Sequence, residues 1–340
     1  MRINNHCTIF IICCDPGAAS DMSVITSNLI KKSTYKISII TTLYSKPYFK
    51  QLGIDTKLIT DYKNIQNVKN LFIGKKKIFP WPDLIFTGTS WGEKYELLFI
   101  DFANKQGIPS IAWMDNWSNY SDRFITNSTT KRIYPSIIAV TDEYARSQAI
   151  AEGIPENILV DTGAAHFNIL NKLYLRGSKK KIELLKHEIL KEKDELLVLF
   201  VSQCISETQN LEFSFSENDV YEDIVQSLIQ ISERTEVKFC LAIRLHPKEF
   251  IKKYNNFEHN SVRVIIAENS NSYIWCLAAD LVIGINTILL VDSSLLGKQA
   301  ISIQYKRSET DLLPSNKTGL TLPVYKKREL KNTIENALFN

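Results

Sequence analysis

The sequence predicts an α/β protein of two domains, each a parallel sheet with helices on both faces. Short β-branched and apolar runs alternate with longer segments of helical periodicity along most of the chain, a rhythm typical of parallel sheets. The 340 residues also exceed what one hydrophobic core usually serves. With 44% hydrophobic and 23% charged residues, the composition is that of an ordinary globular protein.

The first half supplies five predicted strands with helical patterns between them. Leu97, Leu98 and Phe102 share one side of a helical pattern that runs from residue 91 to 105. Further helices are expected from the turn at 15–20 to about residue 31 and over 142–151. The strands are expected at residues 7–14, 36–42, 83–88, 110–114 and 137–140.

The stretch 154–168 is interpreted as a junction, followed by a strongly charged helical segment at 172–195. We predict a first domain over 1–165, a second domain over 166–325 and a closing helix over 326–340. The expected architecture is two Rossmann-like domains that face each other across a cleft. In the second domain we expect strands at 195–201, 237–245, 262–266, 281–284 and 300–304, and helices at 220–233, 272–279 and 288–296.

The net charge and the spacing of the cysteines limit the classes of function that the sequence supports. The net charge of +4, from 41 basic and 37 acidic residues, is too small to predict nucleic-acid binding. It leaves open a basic cleft or peripheral association with an anionic membrane. The lysine clusters 75–77 and 179–181 are interpreted as solvated turns. Six cysteines without paired spacing indicate reduced thiols rather than disulfides or a metal site.

The N-terminal apolar run, residues 8–14, is far too short to cross a bilayer and lacks the flanks of a signal peptide. A cytoplasmic protein is therefore expected, with attachment to the inner face of the cytoplasmic membrane left open.

Cationic side chains end the predicted strand 237–245, in the sequence RLHPKE. Arg244 and His246 point to the same face because side chains alternate along a strand, and Lys248 follows in the loop after Pro247. Strand ends of an open α/β sheet are where ligands bind. The three groups predict a site for an anion such as a phosphate. The alternative is a surface turn in which His246 only satisfies a backbone carbonyl.

Polar residues follow two other strands of the second domain. Ser202 and Gln203 come after 195–201 and can hold a phosphate or a base, or can simply cap the strand end. Asn286 and Thr287 join a buried strand to a helix, whose free N–H groups suit an anion. Asp292, further along that helix, is expected to accept from ribose hydroxyls or to be a solvated carboxylate.

The first domain offers two candidate regions for chemistry. Asp15 and Gly17 lie in the turn between the first strand and its helix, where glycine lets a sugar approach the backbone and Asp15 can act as a base. A single glycine is no dinucleotide-binding fingerprint.

The second region follows the strand 110–114. Asp115 is the other candidate base, and Trp117, Asn119 and Tyr120 suggest a loop that stacks on and hydrogen-bonds a carbohydrate acceptor. Packing of these aromatic residues at the domain seam has equal weight.

Three passages resemble GT-B glycosyltransferases, which have two Rossmann-like domains and bind the donor in the second one. The junction 153–168 is similar to the passage between GT-B domains. FVSQCISE and RLHPKE resemble the Ser-Gln and His-Pro elements of bacterial sialyltransferases and polysialyltransferases, and GINTILLVDSSLLGKQAISI resembles their Ser/Thr-bearing segment. The resemblance implies that His246 contacts a CMP phosphate and that Thr287 lies at the donor phosphate.

The chain departs from this pattern at several positions. Cys204 replaces the usual Pro after Ser-Gln, and Asp292-Ser293 replaces Glu-Ala. No acidic Asp/Glu-Asp/Glu-Gly motif is found in the first domain, which leaves the base unassigned between Asp15 and Asp115.

The sequence therefore predicts a metal-independent glycosyltransferase without cofactor, with CMP-sugars favoured as donors. The acceptor is expected to be a bacterial surface glycan, free or lipid-linked. Asp15 or Asp115 would deprotonate it, while Arg244, His246 and Lys248 stabilise the leaving phosphate. The alternatives are a sugar-nucleotide epimerase or hydrolase, like the UDP-GlcNAc 2-epimerases, and a non-catalytic nucleotide- or glycan-binding subunit of a synthase complex.

Overall fold

The structure is a computed structural model in which the chain divides into two compact units, Met1–His166 and Phe167–Asn340. The predicted domain boundary was at 165/166. The residues that the structure describes are 7–32, 35–61, 67–74, 77–90, 94–117, 119–126, 131–170, 178–206, 214–247, 249, 253–254, 259–267, 271–308 and 310–339.

The first unit contains a seven-stranded sheet in which every described pair of strands is parallel. Its strands are β1 (Thr8–Cys13), β2 (Lys36–Thr41), β3 (Lys57–Leu58), β4 (Leu84–Thr87), β5 (Ser110–Trp113), β6 (Ile137–Val140) and β7 (Leu159–Asp161). Their order across the sheet is β3-β2-β1-β4-β5-β6-β7. Its helices are α1 (Pro16–Lys32), α2 (Lys46–Gln51), α3 (Tyr95–Gln106) and α4 (Glu143–Ala151).

Strand β1 forms the centre of this unit because all six of its residues are buried. Side chains alternate between the faces of a strand. On one face Phe10 packs against the rings of Phe72, Phe79 and Phe99. On the other, Ile11 belongs to the core formed with α1 and α2. Burial on both faces explains why the sequence TIFIIC has no polar alternation.

The second unit contains a six-stranded parallel sheet in the order β10-β9-β8-β11-β12-β13. Its strands are β8 (Leu196–Val201), β9 (Phe239–Arg244), β10 (Val262–Ile266), β11 (Leu281–Gly284), β12 (Ala300–Ile303) and β13 (Leu322–Val324). Its helices are α5 (Phe167–Leu170), α6 (Lys179–Ile189), α7 (Glu217–Thr235), α8 (Ser272–Ala278), α9 (Ile288–Leu295), α10 (Pro314–Lys317) and α11 (Leu330–Phe339).

Local sequence explains several boundaries in the second unit. Helix α7 begins at a capping box, in which the Ser216 side chain accepts from the Asp219 amide and the Asp219 carboxylate accepts from the Ser216 amide. Pro323 is tolerated in β13 because this strand lies at the sheet edge, where a missing N–H breaks no ladder. The C-terminal helix α11 buries Leu330 and Ile334.

The two predicted parallel-sheet α/β domains are confirmed, with some elements added. Strands β3, β7 and β13 and the short helix α2 were not predicted. Strand β3 has two residues, too few for a periodicity signal. Strand β7 lies within the stretch interpreted as a junction. Helix α6 covers only part of the charged segment 172–195, of which 172–177 lies outside the described residues.

Both sheets have a topological switch point beside their first strand. Strand β1 lies between β2 and β4, and β8 lies between β9 and β11, so successive connections leave on opposite sides. In each sheet, the loops that follow the two strands at the switch point (β1 and β4, or β8 and β11) lead to opposite sides. They leave a crevice at the carboxyl edge, where ligands of open α/β sheets bind.

None of the helices in the described ranges has both the length and the apolar character needed to cross a bilayer. No disulfide joins any of the six cysteines, all of which lie in the described ranges.

Candidate functional site

The switch point of the first unit carries carboxylates. Asp15 follows β1, and Glu96 lies in the first turn of α3. The Cys14 amide and the Ser90 hydroxyl donate to Oε1 of Glu96 at 3.0 and 2.9 Å. Glu96 thus joins the loop after β1 to the loop after β4.

Asp115 follows β5 and lies against the first turn of α1. A Cβ atom on Gly17 would lie 1.9 Å from Oδ2 of Asp115, so only glycine permits this approach. The first turn of a helix carries free N–H groups and a positive dipole end, which favour a carboxylate. Oδ1 accepts from Nη1 of Arg123 at 3.0 Å. The structure therefore brings the sequence-predicted residues Asp15, Gly17 and Asp115 together.

Burial changes the proton affinity of these carboxyl groups. Burial and then the charge of Asp15 raise the pKa of Glu96 to about 7, against hydrogen bonds from Ser90 and Cys14. Burial also raises the pKa of Asp115, with Arg123 opposing the rise and Asp15 adding to it. The Asp115 side chain keeps 14% of its surface exposed, so a bound molecule can reach it. Glu96 is 2% exposed, and its Oε2 has no hydrogen-bond partner among the described residues.

Arg123 is the cation built into this cluster, and the sequence analysis did not identify it as a site residue. Its side chain is buried, and Nη1 donates to the backbone oxygen of Thr89 at 2.8 Å as well as to Asp115. Burial and then Arg123 lower the pKa of Lys94, which donates to the backbone oxygen of Asp122 at 3.1 Å. The positive charge of Arg123 balances part of the negative charge of Asp115 and the carboxyl groups beside it.

A second buried group in this unit is structural. Oδ1 of Asp21 accepts from the backbone amide of His166 at 2.7 Å and is 2.8 Å from its Nδ1. Oδ2 accepts from Nε1 of Trp113 at 3.0 Å. The carboxylate fastens the last residue of the unit to α1 and β5.

The aromatic residues predicted to contact an acceptor are packed into the first unit. Trp117 is buried and donates from Nε1 to Asp142 at 2.7 Å, while Tyr120 is 1% exposed. A ring enclosed by protein cannot stack on a sugar, so burial favours the packing alternative for both residues. Asn119 is half-buried in the left-handed region, at φ 57°, which asparagine tolerates better than most residues. Ser118 lies outside the described residues.

The switch point of the second unit is lined by amides and hydroxyls. Nε2 of Gln203, after β8, donates to Oδ1 of Asn286 at 2.6 Å, and the Asn286 amide donates to Oε1 of Gln203 at 2.8 Å. This two-bond pair joins the loops after the two neighbouring strands β8 and β11. Thr287 caps α9, with its Oγ1 accepting from the Leu289 amide at 3.4 Å.

Arg244 and His246 leave the end of β9 beside this pair of loops. Arg244 is opposite Val201 in the register of β9 and β8. Both Arg244 and His246 are half-buried. The His246 amide donates to Oε2 of Glu249 at 2.6 Å, and the Glu249 amide donates to the backbone oxygen of His246 at 2.9 Å. These bonds close the turn at Pro247, whereas Lys248 lies outside the described residues.

Glu249 ties the histidine turn to the end of β8. Its Oε1 accepts from the Ser202 hydroxyl at 2.7 Å, and that hydroxyl also contacts the hydroxyl of Tyr254. Lys253 pairs with Glu249 at 3.0 Å and also with the fully buried Glu217. The Ser202 hydroxyl therefore fixes the turn that carries His246.

Asp292 is almost fully enclosed. It is 1% exposed, and Oδ2 accepts from the Tyr273 hydroxyl at 3.0 Å. Burial raises the pKa of Cys276 to about 12, with a hydrogen bond to Ser293 opposing and Asp292 adding to the rise. The burial of Asp292 excludes the alternative that its carboxylate is solvated.

Sequence reasoning missed Glu96, Arg123 and Glu249. Glu96 had one available signal, because it lies one turn before Ile100 and next to Leu97, both buried, so a charged residue interrupts an apolar helix face. Glu249 was quoted in RLHPKE without a role. Arg123 lies only eight residues after Asp115, its ion-pair partner, but this spacing alone does not show that the two side chains meet.

The structure was compared with known proteins. No protein-family model matches the chain, and no curated protein matches it in sequence. Among solved structures it is similar to the UDP-GlcNAc 2-epimerase of Methanocaldococcus jannaschii in complex with UDP-GlcNAc and UDP, with a TM-score of 0.68, 16% identity and coverage of 98% of this chain and 93% of the other.

Two further solved structures are similar to a comparable extent. The Neisseria meningitidis UDP-GlcNAc 2-epimerase bound to UDP-GlcNAc has a TM-score of 0.69 and 13% identity, over 97% of this chain and 91% of its own. The Staphylococcus aureus MnaA–UDP structure has a TM-score of 0.67 and 10% identity, over 98% and 88%. At such identities the likeness establishes the GT-B-like fold.

The prediction of a CMP-sugar glycosyltransferase was wrong. The structures similar along nearly the whole chain include UDP-GlcNAc 2-epimerases with bound UDP-GlcNAc or UDP, and they favour the epimerase alternative. The more specific resemblance to sialyltransferases, drawn from the Ser-Gln and His-Pro elements, gains no support from these structures.

Proposed function

We propose that the chain is a nucleotide-sugar enzyme that acts on a UDP-linked sugar as an epimerase or hydrolase. The observation that carries the proposal is the position of Asp115. Its carboxylate lies against the first turn of α1 at Gly17, is held by Arg123, and remains partly exposed beside Asp15. The nearly full-length similarity to structures with bound UDP or UDP-GlcNAc supports the choice of substrate class.

Asp115 is the proposed proton acceptor. Inverting a sugar carbon that bears hydrogen requires removal of one proton and return of another, and hydrolysis requires a proton to be taken from water. The guanidinium of Arg123 favours the ionised form of Asp115, while burial and Asp15 favour the protonated form. The net result is a raised pKa, so Asp115 holds a proton more tightly than an exposed aspartate while Arg123 still supports the ionised form that accepts one.

The phosphates of the nucleotide are assigned to the second unit. Arg244 and His246 can donate charge-assisted hydrogen bonds to them, and the free N–H groups at the start of α9 suit a negative charge. Such donors stabilise a diphosphate leaving group as its charge develops. Lys248 and Thr287 remain predicted phosphate contacts. Asp292, predicted to contact ribose, has no such role in this proposal because it is only 1% exposed. An epimerase or hydrolase needs no glycan acceptor, so Gly17, Trp117, Asn119 and Tyr120 have no acceptor role in this proposal.

The test is incubation of the purified chain with UDP-GlcNAc in deuterium oxide, followed by NMR and mass spectrometry. An epimerase gives a UDP-linked epimer that carries deuterium at the inverted carbon. A hydrolase that releases the diphosphate gives UDP and free sugar, without deuterium on carbon. UDP is expected to bind more tightly than CMP in calorimetry. If UDP binds and a panel of UDP-sugars stays unchanged, the chain is a non-catalytic binding subunit and the proposal fails.

A further inference from the structure

Residues 67–82 of the first unit combine exposed apolar side chains with lysines. The segment has four lysines and no acidic residue. Ile73 and Ile78 each expose 41% of their surface and Trp81 exposes 40%. Exposed apolar residues are usually scattered singly over a protein surface, whereas here three fall within nine positions. Together with the exposed Lys69 and Lys77, these three side chains are called the apolar–lysine patch.

The backbone around the patch is a closed turn. The amides of Ile78 and Phe79 donate to the backbone oxygen of Leu71 at 2.9 and 3.0 Å. The Lys77 amide donates to the backbone oxygen of Gly74 at 3.3 Å. These bonds join described residues on either side of 75–76, so the exposure of Ile78 is a property of a hydrogen-bonded segment.

Buried aromatic rings anchor this turn to the core. Phe72 and Phe79 pack against Phe10 of β1 at centroid distances of 4.9 and 5.1 Å. Trp81 contacts Phe72 and Phe102 edge-on at 6.4 and 5.7 Å while part of its ring stays at the surface. Phe72 and Phe79 therefore hold the segment against the core, while Ile73 and Ile78 remain exposed.

Cations outnumber acidic groups around the patch, where Asp61 accepts from the amide of Leu58 next to Lys57 and Asp83 follows Trp81 by two residues. The ammonium group of Lys57, which is exposed, lies 5.1 Å from the centre of the Phe79 ring and adds a cation beside Lys69 and Lys77. The other lysine cluster, 179–181, differs because α6 also carries Glu183 and Glu188. An excess of cations beside exposed apolar groups is complementary to a surface that is anionic outside and apolar beneath.

We propose that the apolar–lysine patch binds the surface of an anionic lipid bilayer. Ile73 and Ile78 enter the boundary between headgroups and acyl chains, and Trp81 lies at headgroup level, where aromatic residues are enriched. Lys69 and Lys77 contact lipid phosphates, each lysine contributing roughly fivefold in affinity. The proposal is independent of the proposed function, because it concerns where the chain is held rather than its reaction.

The test is flotation of the full chain with vesicles of phosphatidylcholine alone or mixed with phosphatidylglycerol. Binding is expected only to the anionic vesicles and is expected to weaken with added salt. Ile73→Ser/Ile78→Ser is expected to lower the apparent affinity by about tenfold or more, because the apolar insertion is lost. Lys69→Gln/Lys77→Gln is expected to lower it by about 25-fold.

Two control variants separate the patch from general effects. Ile137→Ser/Ile150→Ser removes two isoleucines that are each 38% exposed in the same unit, and is expected to bind as the wild type does. Lys179→Gln/Lys181→Gln removes the same net charge from α6, where both lysines are exposed, and is likewise expected to retain binding.

Three results would overturn the proposal. The wild type does not float with anionic vesicles; the patch variants bind as well as their controls; or Ile73→Ser/Ile78→Ser converts an oligomer into monomers without vesicles, which assigns the patch to contact between copies of the chain. Because Lys69 and Lys77 are exposed, their variant keeps the proposal testable if the isoleucine variant misfolds.

Discussion

The two units have the same strand order around their switch points but place different side chains there, carboxylates in the first and neutral amides in the second. At the switch point of the first, the loops after β1 and β4 enclose Asp15 and Glu96, with Asp115 close by. At the switch point of the second, the loops after β8 and β11 are joined by Gln203 and Asn286. The first can exchange protons, and the second can donate hydrogen bonds to phosphate. Topology selects the position of a site, and the residues at that position select its chemistry.

A glycine at the corresponding strand end has a different role in each unit. A Cβ on Gly88, after β4, would lie 2.9 Å from Oε1 of Glu96, so the glycine makes room for a buried carboxyl group. A Cβ on Gly284, at the end of β11, would lie 3.2 Å from the backbone oxygen of Val201, so this glycine lets two strand ends pack closely.

The largest expected effect is the loss of unfolding free energy when the acidic switch point of the first unit loses the positive charge of Arg123. Arg123→Met removes a buried guanidinium and leaves the Asp115 carboxylate without it, which is expected to cost about 3–5 kcal/mol of unfolding free energy. Urea denaturation at neutral pH measures the loss. The matched control is Arg146→Met, whose ion pair is 28% and 67% exposed and is expected to contribute at most about 1 kcal/mol. Equal stability of the two variants would show that the Arg123–Asp115 pair contributes no more than an ion pair at the surface.

The second effect is the pH dependence that Glu96 imposes on stability. Its folded pKa of about 7 lies above the ordinary value of 4.5, so the folded state loses stability as pH rises through this interval. The loss relative to low pH approaches roughly 3 kcal/mol above pH 7. Glu96→Gln keeps an acceptor for Cys14 and Ser90 without the charge. The variant is expected to gain on the wild type between pH 5 and pH 8 in urea unfolding; a constant difference would show that Glu96 does not titrate there.

Gly17→Ala is expected to lower turnover by about 100-fold, since displacement of a catalytic group by about 1 Å has effects of this size. The added methyl group would overlap Oδ2 of Asp115, which must move away from α1. Calorimetry is expected to give an unchanged affinity for UDP. The double variant Gly17→Ala/Asp115→Asn is expected to be no worse than Asp115→Asn alone, and additive losses would show that the two residues act separately.

The smallest effect concerns the pair that joins the loops of the second unit. Gln203→Ala and Asn286→Ala are each expected to weaken UDP binding, with a coupling energy of about 1 kcal/mol in a double-mutant cycle. Asn104→Ala, which removes an exposed hydrogen bond to Tyr134 in the first unit, serves as the control for UDP affinity. Zero coupling would mean that the pair does not shape the nucleotide site.

The strands could be predicted where local composition determines them. Strands β1 and β8 are buried along nearly their whole length and have apolar sequences that fit no exposed element. Position at a strand end was also enough to single out Arg244 and His246. The short edge strands β3 and β13 pair with neighbours distant in sequence, so their own residues give little signal.

The roles of site residues depended on partners that sequence spacing does not reveal. Trp117 was predicted to face a sugar, and it is buried against Asp142, 25 residues away. Glu96 is a site residue because Cys14, 82 residues away, donates to it. The preference for CMP-sugars had no basis in these residues, since the Ser-Gln and His-Pro elements concern phosphate and say nothing about the base.

Asp115→Asn tests the central division of roles most directly, when turnover of a UDP-sugar and affinity for UDP are measured on the same variant. The account predicts that turnover falls by about 10²–10⁴-fold while UDP affinity is unchanged. Asp101→Asn, which removes an exposed carboxylate of α3 paired with Lys105, should change neither. Undiminished turnover in Asp115→Asn would contradict the claim that the first unit carries the proton-transfer chemistry.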